Sequence, residues 1–220
     1  MKSIILLLSA TLFTGCFQII EEINMKADGS GEMVLTLDMS QSMEKVQGYL
    51  DAGVVEGKEI PSQSQMESFL DDLEDDLAAM PGLSGVDIQR NWSSFIFKVR
   101  CRFSKVEDLD NAMYELAGKA SSNSEKKWEL KPNYRYQNGI FRRLFEYSPD
   151  PVDFQNLPTS RKVMLEQAKY MVIYRFEKAI DHYSNQAFQL SPSRKAVMLQ
   201  TTPADIATGK VKPATEITFQ

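Results

Sequence analysis

His182, Cys16 and Cys101 are the chain's whole complement of imidazole and thiol, so His/Cys metal sites and most nucleophile-base pairs lack their raw material. His182 follows Asp181, cannot supply a ligand set alone, and reads as a surface or turn residue. Cys101 lies between Val99 and Phe103 on the apolar side of an alternating stretch, which suits a buried structural thiol that reacts only after unfolding. Ser42-Met43-Glu44-Lys45 has the S-x-x-K spacing of penicillin-interacting serine enzymes, but the S-D-N and K-T-G companions are missing. Gly29-Ser30-Gly31 is too short for a dinucleotide loop. Asp71, Asp72, Glu74, Asp75 and Asp76 would point in different directions from a helix, unlike the ligands of a tight calcium loop. We therefore expect no catalytic, cofactor-binding or metal site, no cofactor, and a protein that is not an enzyme.

Cys16 carries the remaining chemistry. Met1 and Lys2 lead into an apolar run from Ile4 and Ile5 to Leu12 and Phe13, which closes on Thr14-Gly15-Cys16. A basic start, a short apolar stretch and small residues before a cut site make a secretory signal, too short for a stable spanning helix. Phe13-Thr14-Gly15-Cys16 resembles the bacterial lipobox, in which cleavage precedes a cysteine that takes lipid on its sulfur and its new amino group; Phe13 stands where Leu is usual. The expectation is a lipoprotein signal peptide over residues 1–15, lipidation such as palmitate at Cys16, and a single domain over residues 16–220. Ordinary signal cleavage is the alternative. One acyl chain binds a bilayer marginally, whereas two or three, at about 0.8 kcal/mol per buried methylene, hold a protein there essentially permanently. Phe17, in place of the Asp associated with inner-membrane retention, favours the outer membrane, with the domain facing the periplasm or the cell surface. No Gly/Ser-rich tether follows Cys16, so the domain should sit against the bilayer.

The rest of the chain reads as successive hairpins with helices between them. Met33, Leu35, Leu37 and Met39 alternate with polar or smaller residues, and Phe17, Ile19, Ile23 and Met25 share a side, so residues 17–39 form a hairpin through Asp28-Gly29-Ser30-Gly31. A second hairpin joins residues 86–92 to 94–103, where Phe95, Phe97, Val99, Cys101 and Phe103 face one way and Lys98, Arg100 and Arg102 the other. A third turns through Asn138-Gly139, from Trp128–Tyr136 into Ile140–Tyr147. Further strands are expected over residues 171–178, 187–190, 196–201 and 215–219. Helices are expected over residues 42–50 and 64–80, the latter with Met66, Phe69, Leu70, Leu73 and Leu77 on one face. A capping box at Ser104 and Glu107 opens another, with Leu109, Met113 and Leu116 inward and Gly118 as its stop. A weaker helix covers residues 161–169. The fold class is α+β, an antiparallel sheet built from hairpins with helices packed on one face.

Composition narrows the class further. A mean hydropathy of -0.32 excludes a multi-span membrane protein, and a net charge of -5 argues against nucleic acid as a partner. The charge is uneven: residues 16–85 carry 3 basic and 15 acidic side chains, and residues 86–147 carry 12 and 8. The acidic helix reads as a solvated face. Lys98, Arg100, Arg102, Arg135, Arg142 and Arg175 read as a water-facing sheet or, more sharply, as a basic face for anionic headgroups or an acidic partner. Eleven Met residues read as packing; the alternative is an adaptable cavity lined with Trp92, Trp128, Tyr134, Tyr136, Phe141 and Phe145.

Two stretches carry a family resemblance. Cys16 to Glu22, followed by Ala27-Asp28-Gly29-Ser30-Gly31 and the strand to Leu37, resembles the opening of LppM-type bacterial envelope lipoproteins. Ile173 to Phe176, Ser184-Asn185-Gln186-Ala187, Ser193-Arg194-Lys195 and the strand from Ala196 are similar to that family's closing segment. The likeness covers the two ends of the chain. It implies an envelope-associated protein with a lipid-interacting role, and this chain shows no counterpart of the C-terminal transmembrane helix that some relatives carry. The expected function is thus a lipid-anchored cell-envelope protein that binds a lipid or other amphiphile close to the membrane. The alternative is a lipid-tethered adaptor or structural protein that docks another envelope component.

Overall fold

The computed structural model describes residues 17–55, 57–120, 132–145 and 154–220, with the side chains of 58 and 115–120 left aside. Cys16, the expected signal over residues 1–15, Trp128 and the end of the third hairpin at Tyr147 lie outside the described residues.

Alternating side chains build two sheets that share one core. The larger contains β1 (Gln18–Met25), β2 (Gly31–Asp38), β5 (Leu83–Asn91), β6 (Ile96–Phe103), β9 (Lys169–Phe176), β11 (Gln189–Leu190) and β12 (Ala196–Thr201), in the order β11-β12-β9-β1-β2-β6-β5. The smaller has the order β10-β13-β8-β7, from β7 (Tyr134–Gln137), β8 (Ile140–Arg143), β10 (Ile180–Tyr183) and β13 (Thr215–Phe219). A two-residue pair, β3 (Val54–Val55) with β4 (Lys58–Glu59), stands apart. Every neighbouring pair is antiparallel except β1 with β9, which run parallel with Glu21 opposite Val172. The fold is α+β, with the helices over residues 63–78 and 109–120 and the small sheet packed on one side of the large sheet.

The turns form for the reasons the residues suggest. Gly29 sits at φ 88°, and Asp28 Oδ1 accepts from both the N–H and the hydroxyl of Ser30. Asn138 and Gly139 both have positive φ, at 54° and 72°, as a type I′ hairpin turn demands. The strands at 196–201 and 215–219 begin and end where alternation places them.

Helix α1 (Met43–Ala52) and α2 (Gln63–Ala78) precede β5, and α3 (Leu109–Ala120) follows β6. α4 (Thr159–Gln167) leads into β9, and the short α5 (Pro203–Ala207) follows β12. A capping box of Ser62 and Gln65 opens α2. Leu73 and Leu77 of α2 enter the core and Leu70 packs against it, whereas Phe69, expected on the same face, is 40% exposed. The box expected at Ser104 and Glu107 is shifted by one residue: Asp108 accepts the Lys105 N–H, and Glu107 instead accepts the Tyr136 N–H of β7. Gly118 does not stop α3, which continues to Ala120. β10 is not legible in the sequence because its apolar residues, Ile180 and Tyr183, bracket Asp181 and His182 over only four positions and break the alternation at a bulge.

Candidate functional site

The expected apolar side of β1 contains Phe17, Ile19, Ile23 and Met25, and the same alternation places Glu21 in its middle. Glu21 is 1% exposed. It faces the small sheet, and four side chains converge on it. Tyr134 of β7 donates its hydroxyl to Oε1 at 2.7 Å, Tyr174 of β9 donates to the same oxygen at 2.8 Å, and Tyr170 donates to Oε2 at 2.6 Å. Arg143 of β8, 3% exposed, places Nη2 3.6 Å from Oε2, donates Nη1 to Asn133 Oδ1 at 2.8 Å, and stacks its guanidinium 4.5 Å from the Tyr134 ring centre. Glu21 and the hydroxyls of Tyr170 and Tyr174 come from the large sheet, and Arg143 and Tyr134 from the small one. The cluster is a clamp between layers. Phe141 reinforces it with edge-on contacts to Tyr174 and Phe176 at 5.1 and 5.3 Å.

The electrostatics fix the protonation states. Burial alone would push the Glu21 carboxyl up, but Arg143 and the three tyrosine hydroxyls outweigh it and hold the group below the ordinary glutamate value. Burial, joined by the Glu21 charge and opposed by Arg143, drives all three tyrosines well above ordinary tyrosine values. Burial would pull Arg143 down, yet the tyrosine oxygens and Glu21 raise it. At neutral pH the carboxylate is ionised and the phenols are neutral. A group that changes charge there, as general acid-base catalysis needs, is not what this arrangement provides. It provides a fixed ion pair in which every Glu21 oxygen accepts at least one hydrogen bond.

Carboxylates also cover the outer edge of the small sheet. Asp110 of α3 accepts the N–H groups of Asn133 and Tyr134 at 2.8 and 3.1 Å and binds Arg135 at 2.7 Å, and Glu107 takes the Tyr136 N–H at 2.7 Å. These N–H groups would otherwise present an open ladder on β7, the kind of edge that invites pairing with another chain.

The residues singled out from sequence fall in several places. The basic side chains do not form one face. Lys98, Arg100, Arg102 and Arg175 lie on the open side of the large sheet, while Arg135 pairs with Asp110 and Arg142 with Glu216 on the small sheet. Arg175 is bonded to Glu22 at 2.6 Å. The acidic face of α2 is partly occupied: Arg90 of β5 binds Glu67, Asp71 and Glu74, and Trp92 donates its indole N–H to Glu67. The aromatic cavity does not form among the described residues, because Tyr134 and Phe141 are fully buried in the shared core and Trp92 packs on Phe95 and Phe97 at the β5–β6 turn. Ser42 precedes α1 without capping it, and Lys45 lies over the Tyr49 ring. His182 is exposed on β10.

Cys101 is 5% exposed on β6, and burial, helped by Glu32, pushes its thiol up to about 11. Its thiolate fraction at neutral pH is then on the order of a hundredfold below that of a free cysteine. With Cys16 blocked, maleimide labelling should therefore track global unfolding across a urea series; labelling complete in native buffer would show Cys101 accessible in the fold.

The fold and the clamp define a two-sheet α+β domain with a sealed polar centre. No family model matches the chain, and no curated protein matches it. Among solved structures the chain is similar to the NMR structure of the folded domain of LppM from Mycobacterium tuberculosis, at 12% identity over 93% of this chain and 91% of that one, with a TM-score of 0.38. The likeness is distant and assigns no function to the clamp.

Proposed function

We propose that this is a lipid-anchored, non-enzymatic protein of the bacterial cell envelope, whose domain meets lipid or another amphiphile at the membrane surface. The observation that carries the reading is the apolar run closed by Phe13-Thr14-Gly15-Cys16, which joins without a spacer to the central strand β1 at Gln18. Phe17 is tied down at once, its carbonyl accepting the Lys169 N–H at 3.0 Å. A lipid on Cys16 is thus attached to a fixed point of the fold. The permanent charge states of the clamp support a structural role for the core, and its aromatic residues are used in packing, so the amphiphile is met on the outside. No helix among the described residues is long and apolar enough to cross a membrane. The adaptor reading is favoured by one feature, the open side of the large sheet, where half-buried Ile20, Val34 and Ile173 lie among exposed Arg100, Arg102 and Arg175.

Cys16→Ser tests the anchor. The variant should leave the membrane pellet or persist as unprocessed precursor, and intact mass should show acyl groups on wild type alone. A Cys16→Ser protein that still pellets with processed, acylated mass would refute the reading.

A further inference from the structure

We infer that one rim of the large sheet is the membrane-contacting surface, with exposed side chains of α1, β3 and α4 inserted into the lipid interface beside the anchor. The inference rests on lipidation at Cys16 and adds to it an orientation.

Strand directions define two opposite rims. β1 and β9 start at the same end, where their first residues, Gln18 and Lys169, are paired. Asp38 at the end of β2, Ile96 at the start of β6 and Asn91 at the end of β5 lie at that end too, as does Thr201 at the end of β12. Elements attached to this rim are therefore α1 with β3, reached from β2, and α4, which delivers the chain to β9. Gln167, the last residue of α4, lines a surface cleft together with Ser40 to Lys45, so the two helices border the same cleft. Cys16 is covalently next to Phe17 on the same rim, about 3.8 Å from Cα to Cα.

The large apolar residues left exposed are concentrated on these elements. Met43, Tyr49 and Val54 follow β2, exposed by 41%, 39% and 54%, and Val163 and Met164 of α4 are exposed by 41% and 36%. The opposite rim is polar: its turns carry Asp28 and Ser30, Glu177 and Lys178, and Ser193, Arg194 and Lys195. An apolar rim next to a lipid and a charged rim far from it is the polarity an interfacial protein needs, since apolar side chains gain by leaving water and tyrosine suits the headgroup level. Lys45, Arg161, Lys162 and Lys169 stand among Asp38, Glu44, Asp51 and Glu166, and the acidic start of α2 reaches the same end through Glu67, bonded to Trp92 of the β5–β6 turn, so the contact is apolar in origin and owes nothing to a basic surface.

Full-length, membrane-extracted protein reconstituted in phosphatidylethanolamine/phosphatidylglycerol vesicles tests this. In a Cys101→Ala background, an NBD label is placed at Met164→Cys or Met43→Cys on the anchor rim, or at Ser193→Cys or Ser30→Cys on the far rim, and quenched with doxyl-labelled lipids. Labels on the anchor rim should be quenched several-fold more than those on the far rim. Equal quenching, or stronger quenching of the far rim, in protein that floats with the vesicles would overturn the orientation while leaving the anchor intact. Protein that does not float would refute lipidation at Cys16, and the membrane-facing rim with it.

Discussion

Replacing Glu21 with alanine should destabilise the domain by about 3–5 kcal/mol, because it leaves the Arg143 guanidinium buried without its counter-charge and removes the acceptor of three tyrosine hydroxyls. In a domain of this size that lowers the melting temperature by roughly 10 °C. Arg143→Met should cost a comparable amount, and a double-mutant cycle with Glu21→Gln should return a coupling of more than about 1 kcal/mol, since the two groups share one network. Acid gives an independent readout. The folded Glu21 carboxyl titrates below its unfolded value, so its contribution is fully present above about pH 4.3 and is lost as pH falls through the lower folded value. The difference in urea midpoint between wild type and Glu21→Gln should therefore hold from about pH 7 to about pH 5 and shrink below about pH 4. A difference that stays constant down to about pH 3 would show that the fold does not lower the Glu21 carboxyl below its unfolded value.

Two glycine substitutions should move stability in opposite directions. At Gly31, in the first position of β2, an added Cβ would collide with the Asn24 carbonyl oxygen and lie 2.6 Å from the Phe103 ring. The first is backbone of the hairpin partner and cannot swing aside, so Gly31→Ala must open the β1–β2 pairing or displace Phe103 from the core. A loss of about 3 kcal/mol is expected, at the upper end for overpacking. At Gly48, inside α1, an added Cβ meets nothing within 4 Å, and Gly48→Ala should stabilise by up to about 1 kcal/mol through helix propensity. Urea midpoints of the two variants measured side by side check both, and a Gly31→Ala protein as stable as wild type would exclude the close approach.

Much of this fold is legible in the chain because hairpins are local. Asn138-Gly139 announces its turn, and the alternation from Ala196 to Thr201 and from Thr215 to Phe219 needs nothing beyond period two. The pairing of β1 with β9 is not legible, because it joins residues about 150 positions apart through no turn, and nothing in either strand specifies the partner. The clamp is half visible. Reading Phe17, Ile19, Ile23 and Met25 as one face already places Glu21 on it, and Arg143 lies two residues from the inward Phe141. An acid and a base, each on the inward side of its strand, are the signal of a buried pair, and an apolar search passes over both. The capping box moves because Ser104 and Glu107 have the right spacing by type, whereas a tertiary donor, the Tyr136 N–H, claims Glu107 and leaves Asp108 to cap.

The parallel join of β1 to β9 also sets an order in time. β1 is the first described strand in chain order and the one at the middle of the large sheet, so its second edge stays open until residue 169 and beyond have been synthesised. Through that interval the half-built sheet of β1, β2, β5 and β6 exposes an unpaired strand that carries the Glu21 carboxylate without the hydroxyls of Tyr170 and Tyr174. Closing so long a loop is slow, and an open edge is where aggregation starts. The last third of the chain completes the centre of the sheet, and a chain truncated before β9 would be left with an adhesive edge on its central strand.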